Sequence, residues 1–310
     1  MAALAMRAIA CMLGFVLGFV LALAVGACGG DDKSDSEKGS NAPIRIGSKN
    51  FAEATILGEL YKQALEAKGM PVELRSGVGP SETVNRVLRK GRLDMYPEYV
   101  GVLLSELDEI HDRPSDAAAA YELAKGAEEK HKLTLLDQTP FTNDNALAVT
   151  DDFARRHDVR AITDIARLDK PTLLGAPEFE NRYEGMRGLR RVYGLTSLKM
   201  KKWTSAGDQY PRLDKGKTDV ALVFTTDPQL ASGRYTILDD PKGLFAEQHL
   251  APLISQKALD AHGPKLAATI NAVSALLTNP VMQGLNGKVA LDKRLPRDVA
   301  AEFLRDNDLV

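Results

Sequence analysis

Two stretches of this chain repeat one local grammar, and that repeat narrows the folds open to it more than any other feature. Val87–Leu88–Arg89–Lys90–Gly91–Arg92–Leu93–Asp94–Met95–Tyr96 and Arg212–Leu213–Asp214–Lys215–Gly216–Lys217–Thr218–Asp219–Val220–Ala221 share it. Each runs from a helix end through a glycine suited to the left-handed cap, then to an aspartate and a strand. Strands alternate with helices around both. Ile44–Gly47, Val72–Leu74 and Leu93–Tyr96 read as strands, and Glu53–Lys68 and Ser81–Lys90 as helices stopped by Gly69 and Gly91. A second series places strands at Ala146–Thr150, Thr172–Ala176 and Val220–Thr225, with helices at Arg182–Tyr193 and Asp208–Lys215. This alternation predicts βαβ units in mostly parallel sheets. One sheet could hold both turns, but two similar α/β lobes, each with its own sheet, explain the spacing better. The tail Lys265–Leu309 reads as helical, with breaks at Asn279–Pro280 and near Leu295–Pro296.

The 310 residues are 44% hydrophobic and carry a formal net charge of -2, enough apolar material for one large or two modest domains. That charge balance argues against a nucleic-acid surface, which needs clustered Lys and Arg. The run Lys199–Met200–Lys201–Lys202 is short and reads as a solvated face or strand edge. At the N-terminus, Arg7 precedes an apolar run from Ala8 to Gly26, the pattern of an export signal. A plain transmembrane anchor is the alternative. The ending Val25–Gly26–Ala27–Cys28 resembles the bacterial lipobox, whose cysteine takes a diacylglycerol. The expectation is therefore a lipoprotein signal peptide over 1–27 and a lipidated Cys28. A flexible tether over 28–43 follows, and the protein sits exported on the outer face of the cell membrane. Cys11 would be lost with the signal, leaving no thiol for a disulfide, a zinc site or a nucleophile.

No H-E-x-x-H, G-x-S-x-G, Walker loop or G-x-G-x-x-G after a strand is present. The five histidines are scattered, so neither a metal nor a cofactor is expected, and nothing assembles a nucleophile with a base. Ligands in open α/β sheets sit beyond the carboxyl ends of strands. Tyr96–Pro97–Glu98–Tyr99 and Phe224–Thr225–Thr226–Asp227 hold such positions, as does the strand-to-helix turn Ser48–Lys49–Asn50. There Lys49 reads as a site residue, while Asn50 reads better as a helix cap than as an anion contact. The Gly77–Val78–Gly79–Pro80–Ser81 stretch reads as a tight turn capped by Ser81.

Ile44–Arg–Ile–Gly–Ser–Lys–Asn–Phe51, Ile56–Leu–Gly–Glu–Leu60, Leu93–Asp–Met–Tyr–Pro–Glu–Tyr–Val–Gly101, Ala146–Leu–Ala–Val149, Glu178–Phe179 with Arg182, Phe224–Thr–Thr–Asp227 and Ala251–Pro252 run in order along the chain. Together they resemble the glycine betaine/choline-binding proteins of osmoprotectant ABC importers. The resemblance implies a type II periplasmic-binding-protein fold with a ligand cleft between two lobes. Lobe I would span 44–142 plus 252–310 and lobe II 143–251, with crossings near Thr142 and Ala251. It further implies a monomer that captures a small solute, works with an ABC permease and ATPase, and has no enzymatic activity.

By the same resemblance, Lys49 and Arg182 would meet a ligand carboxylate, and Val102 stands where a helping threonine is usual. A cage of four tyrosines around a quaternary ammonium is represented by Tyr99, Asn145, Phe224 and Gln248, with His249 a rival for the last place. Ser48, Asn50 and Thr225 complete the expected contact set. With the cage so altered, glycine betaine is expected to bind weakly, and ligands that pair with Asn145 and Gln248 to bind better. Trp203 reads as core that could join the rings. Two alternatives stay open: the same fold and role with an uncharged hydroxylated or aromatic ligand, and a surface-tethered enzyme on this fold.

Overall fold

The two repeated turns hold equivalent places in two separate sheets. The structure, a computed structural model, describes residues 42–111, 114, 116–205, 207–245 and 247–310. The export signal, Cys28 and nearly all of the tether lie outside them. Gly91 and Gly216 adopt φ of 65° and 59°, the left-handed cap that a Cβ disfavours. Asp94 Oδ2 then accepts the Arg45 N–H at 2.8 Å, and Asp219 Oδ2 accepts the Thr172 N–H at 2.8 Å. Each aspartate thus ties its turn to the strand that its own strand pairs with in parallel.

The first sheet contains β1 (Ile44–Lys49), β2 (Val72–Gly79), β3 (Met95–Tyr99), β4 (Leu133–Leu135) and β10 (Leu250–Ser255), in the order β2-β1-β3-β10-β4. The second contains β5 (Asn145–Thr150), β6 (Thr172–Gly175), β7 (Lys199–Lys202), β8 (Val220–Phe224) and β9 (Tyr235–Ile237), in the order β7-β6-β8-β5-β9. Both sheets are mixed, where mostly parallel sheets were expected: β10 and β5 each run antiparallel to both neighbours. The cause is the chain path. β5 and β10 are the first strands after each crossing, so they start at the cleft, whereas β3 and β8 end there.

In sheet one, successive side chains face opposite ways and are buried on both faces. Met95, Leu250 and Ile254 pack in one cluster with Ile56, Leu57 and Leu60 of helix α1 (Ala52–Ala67). Tyr96, Ala251 and Leu253 pack in the other with Val84 and Leu88 of helix α2 (Ser81–Arg89). Each fully buried aliphatic side chain contributes roughly 1.5–3 kcal/mol. A third cluster, with Leu147, Leu173, Leu222 and Val223 at its centre, is the core of lobe II. The exposed lysine run forms β7, an edge strand, where charge blocks further pairing.

Several local expectations need correction. Arg182–Tyr193 is not one helix: Glu184 (φ -78°, ψ 45°) and Gly185 (φ -152°, ψ -147°) break it, and only Gly188–Val192 is regular. A Cβ on Gly185 would lie 2.0 Å from the Phe179 carbonyl oxygen, so close packing against the preceding turn forces the break. Asn50 does not cap α1; Phe51 holds that position without a side-chain bond. The tail, by contrast, breaks where expected, into helices Pro264–Ser274, Asn279–Ala290 and Pro296–Asp306, and the Asn279 amide clamps the Thr142 backbone (3.2 and 2.8 Å).

The chain crosses between lobes twice. Thr142 pairs with His249, the Asn143 N–H donates to the Gln248 carbonyl at 3.0 Å, and the Gln248 N–H donates to Asp144 Oδ1 at 2.7 Å. The return lies just ahead of Ala251, because Leu250 and Ala251 already pair with Tyr99 and Glu98 in sheet one.

Candidate functional site

The strand ends of both sheets meet at one cavity of about 500 Å³. Lys49, Asn50 and Tyr99 line it from lobe I, Asn145, Arg182 and Phe224 from lobe II, and Gln248 from the crossing. Ser48 and Thr225 do not line it. Ser48 Oγ accepts the Gly77 N–H at 3.2 Å, holding β2, and Thr225 Oγ1 accepts the Asp144 N–H at 2.9 Å, holding the crossing. His249 turns its Nδ1 to the Thr139 carbonyl at 2.9 Å, so Gln248 takes the cavity position.

The two cations expected to meet a ligand carboxylate already have carboxylate partners. Lys49, 4% exposed, lies 2.5 Å from Glu98 Oε1 and 3.9 Å from the centroid of the Tyr99 ring. Burial lowers its affinity for the proton, and Glu98 opposes that. The internal ammonium therefore occupies the ring face that an external cation would use. Arg182 reaches across the cleft to Glu82 on α2, its Nε and Nη2 donating to the two carboxylate oxygens at 3.0 and 3.1 Å. Burial works against the guanidinium charge, but the Glu82 bonds more than offset it and leave the group above its usual value.

The amides at the other cage positions are also engaged. Gln248 Nε2 donates to Glu184 Oε2 at 3.0 Å, its Oε1 accepts the Val102 N–H at 3.1 Å, and Asn145 Nδ2 donates to Glu184 Oε2 at 3.4 Å. Glu184 is 1% exposed, so these donors serve a buried carboxylate. Gly101 makes room for them: a Cβ there would sit 2.4 Å from Gln248 Nε2.

Sequence reasoning left several residues outside the expected contact set. Glu53, read only as a helix-start residue, is 4% exposed and joins four parts of the molecule. It accepts from the Tyr99 hydroxyl (2.6 Å), Asn143 Nδ2 (2.8 Å), the Thr226 hydroxyl (2.6 Å) and Asn286 Nδ2 (2.6 Å). Phe51 lies stacked with Phe224 across the cleft, ring centroids 6.4 Å apart and planes within 11°. Trp203 meets Phe224 edge-on at 6.4 Å and lines the cavity, as do Ser81 and Glu178. Phe51 stood inside a quoted motif, and Trp203 was the sole tryptophan, so both carried a signal. The pairings of Glu82 and Glu98 required coordinates.

Two α/β lobes joined by two crossings around a cleft at their strand ends define a type II periplasmic-binding-protein fold. The family model for the substrate-binding domain of the ABC-type glycine betaine transport system matches residues 42–306, and the chain belongs to that family. It is 31% identical to a glycine-betaine-binding protein of Pseudomonas aeruginosa over 86% of this chain and 88% of that protein. It is 27% identical to the carnitine transport binding protein OpuCC of Listeria monocytogenes over 87% and 88% of the two chains. Among solved structures, a glycine betaine/carnitine/choline ABC transporter protein superposes with a TM-score of 0.68 at 24% identity, covering 86% of this chain and 99% of the other. The chain is a transport substrate-binding protein, not an enzyme.

Proposed function

We propose that this chain captures a small quaternary-ammonium solute in its interlobe cavity and delivers it to the permease and ATPase of an ABC importer. The observation that carries the reading is the cavity itself. Its volume suits one small molecule, and of the rings that line it Trp203 and Phe224 carry no internal cation among the described residues, whereas Phe51 and Tyr99 face the Lys49 ammonium. Ring faces attract a cation by about 0.5–2 kcal/mol each when water is excluded. The relatives named for glycine betaine and carnitine support the class, since both solutes carry a trimethylammonium group. A neutral hydroxylated ligand held by Asn145 and Gln248 has less support, because both amides donate to Glu184.

In this reading lobe I comprises 44–142 and 250–310, and lobe II 143–249. The boundary moves two residues because β10 begins at Leu250. The protein acts as a monomer and is held at the outer face of the cell membrane by lipid on Cys28. Mass spectrometry of membrane-fractionated protein tests the anchor: acyl mass on Cys28, lost in Cys28→Ala, is expected, and an unmodified mature Cys28 would refute it. Calorimetry against choline, betaines, polyols and phenolic compounds tests the ligand class. Saturable binding of quaternary-ammonium compounds is expected. Binding of polyols or phenols alone would overturn it.

A further inference from the structure

Counting charges at the cavity separates two kinds of quaternary-ammonium ligand. Lys49 is balanced by Glu98 and Arg182 by Glu82. Glu178 also lines the cavity and, among the described residues, forms no ion pair. Arg182 feels Glu178 and Glu106 in addition to Glu82, so one guanidinium faces three carboxylates. Glu106 is turned to the backbone, accepting the N–H groups of Tyr183 (3.1 Å) and Glu184 (2.9 Å). Glu178 is left as the uncompensated charge on the cavity wall.

The rings are distributed to match. The Tyr99 face holds the Lys49 ammonium, and the Tyr99 hydroxyl is bonded to Glu53. Trp203 and Phe224, edge to face on lobe II, carry no internal cation among the described residues, and Glu178 lines the same cavity from the same lobe. Two open rings and a carboxylate lining one cavity are the elements that recognise an organic cation.

We infer that this chain selects quaternary-ammonium ligands of net positive charge over zwitterionic betaines, seating the cation at Trp203 and Phe224 against Glu178 while Glu82 withholds Arg182 from a ligand carboxylate. The inference rests on the function proposed above and names the ligand class for that site. A zwitterion must break the bidentate Arg182–Glu82 pair and leave the Glu82 carboxylate beside its own. A choline-type ligand needs no such exchange and neutralises Glu178.

Calorimetry on the full-length protein in detergent, with choline and glycine betaine as probes, decides it. Choline is expected to bind at least about tenfold more tightly, the scale of one charge-assisted contact. Glu178→Gln should shrink that ratio by weakening choline. Glu82→Gln should shrink it from the other side, strengthening glycine betaine by freeing Arg182. Thermal melts of both variants confirm that the fold is kept. Glycine betaine binding as tightly as choline to the wild type, or a ratio unmoved in both variants, would overturn the inference while leaving the proposed function standing. Binding of neither probe defeats both.

Discussion

Lys49 is where local chemistry departs most from the role its position suggests. A buried ammonium against Glu98 and the Tyr99 ring is a structural element of the cleft wall. Lys49→Met leaves the Glu98 carboxylate buried without a counter-charge and should cost about 3–5 kcal/mol in urea denaturation. Lys49→Met with Glu98→Gln should recover most of that loss, because the glutamine oxygen can still accept the Tyr99 N–H that Glu98 Oε1 now accepts at 2.8 Å. Gln248 is committed in a similar way. Putting tyrosine there to rebuild an aromatic cage removes both the donor to Glu184 and the acceptor for the Val102 N–H, in a space already filled against Gly101. Gln248→Tyr should therefore destabilise the protein by about 2–4 kcal/mol and leave glycine betaine affinity no higher, as denaturation and calorimetry together would reveal.

At the scale of elements, the turn after β8 links strand, helix and cleft. Asp227 accepts the Phe224 N–H at 3.1 Å and the hydroxyl of Tyr210, in the helix Gln209–Asp214, at 2.7 Å. Burial is the largest cause raising its pKa to about 6 from 3.8. The folded state therefore binds this proton more tightly than the unfolded chain does. The stabilisation is complete below the unfolded value and is lost as pH rises through about 6. Between about pH 5 and about pH 7.5 this group should withdraw roughly 1–2 kcal/mol, a slope that Asp227→Asn should abolish in paired urea titrations. The same scale explains what sequence could reveal. The repeated helix–glycine–aspartate–strand turns were legible because φ > 0 and a strand-tying carboxylate each demand one residue type. The break at Gly185 was not, since its cause is a carbonyl of the preceding turn. Short edge strands such as β4 and β9 were missed because three residues carry no usable period.

For the whole molecule, three sets of polar contacts hold one lobe against the other around the cavity. Glu82–Arg182, Glu106 with the Tyr183 and Glu184 N–H groups, and Glu53 with Thr226 all span the cleft. Of the seven cavity-lining residues expected from sequence, Lys49, Asn50, Tyr99, Asn145 and Phe224 lie at strand ends, where topology fixes position, while Arg182 follows a short helix and Gln248 sits in the crossing. Glu53 and Glu82 were not legible as site residues, and Glu98 only by its place in a strand-end segment, because their partners lie on other segments. Trp203 supplies the most direct test that the interlobe cavity is the solute site, since it is the sole tryptophan and lies in the cavity wall. Titrating the protein with choline while recording tryptophan emission should give a saturable change whose midpoint matches the calorimetric Kd. Tight binding by calorimetry with emission unchanged throughout would place the ligand elsewhere and contradict the account.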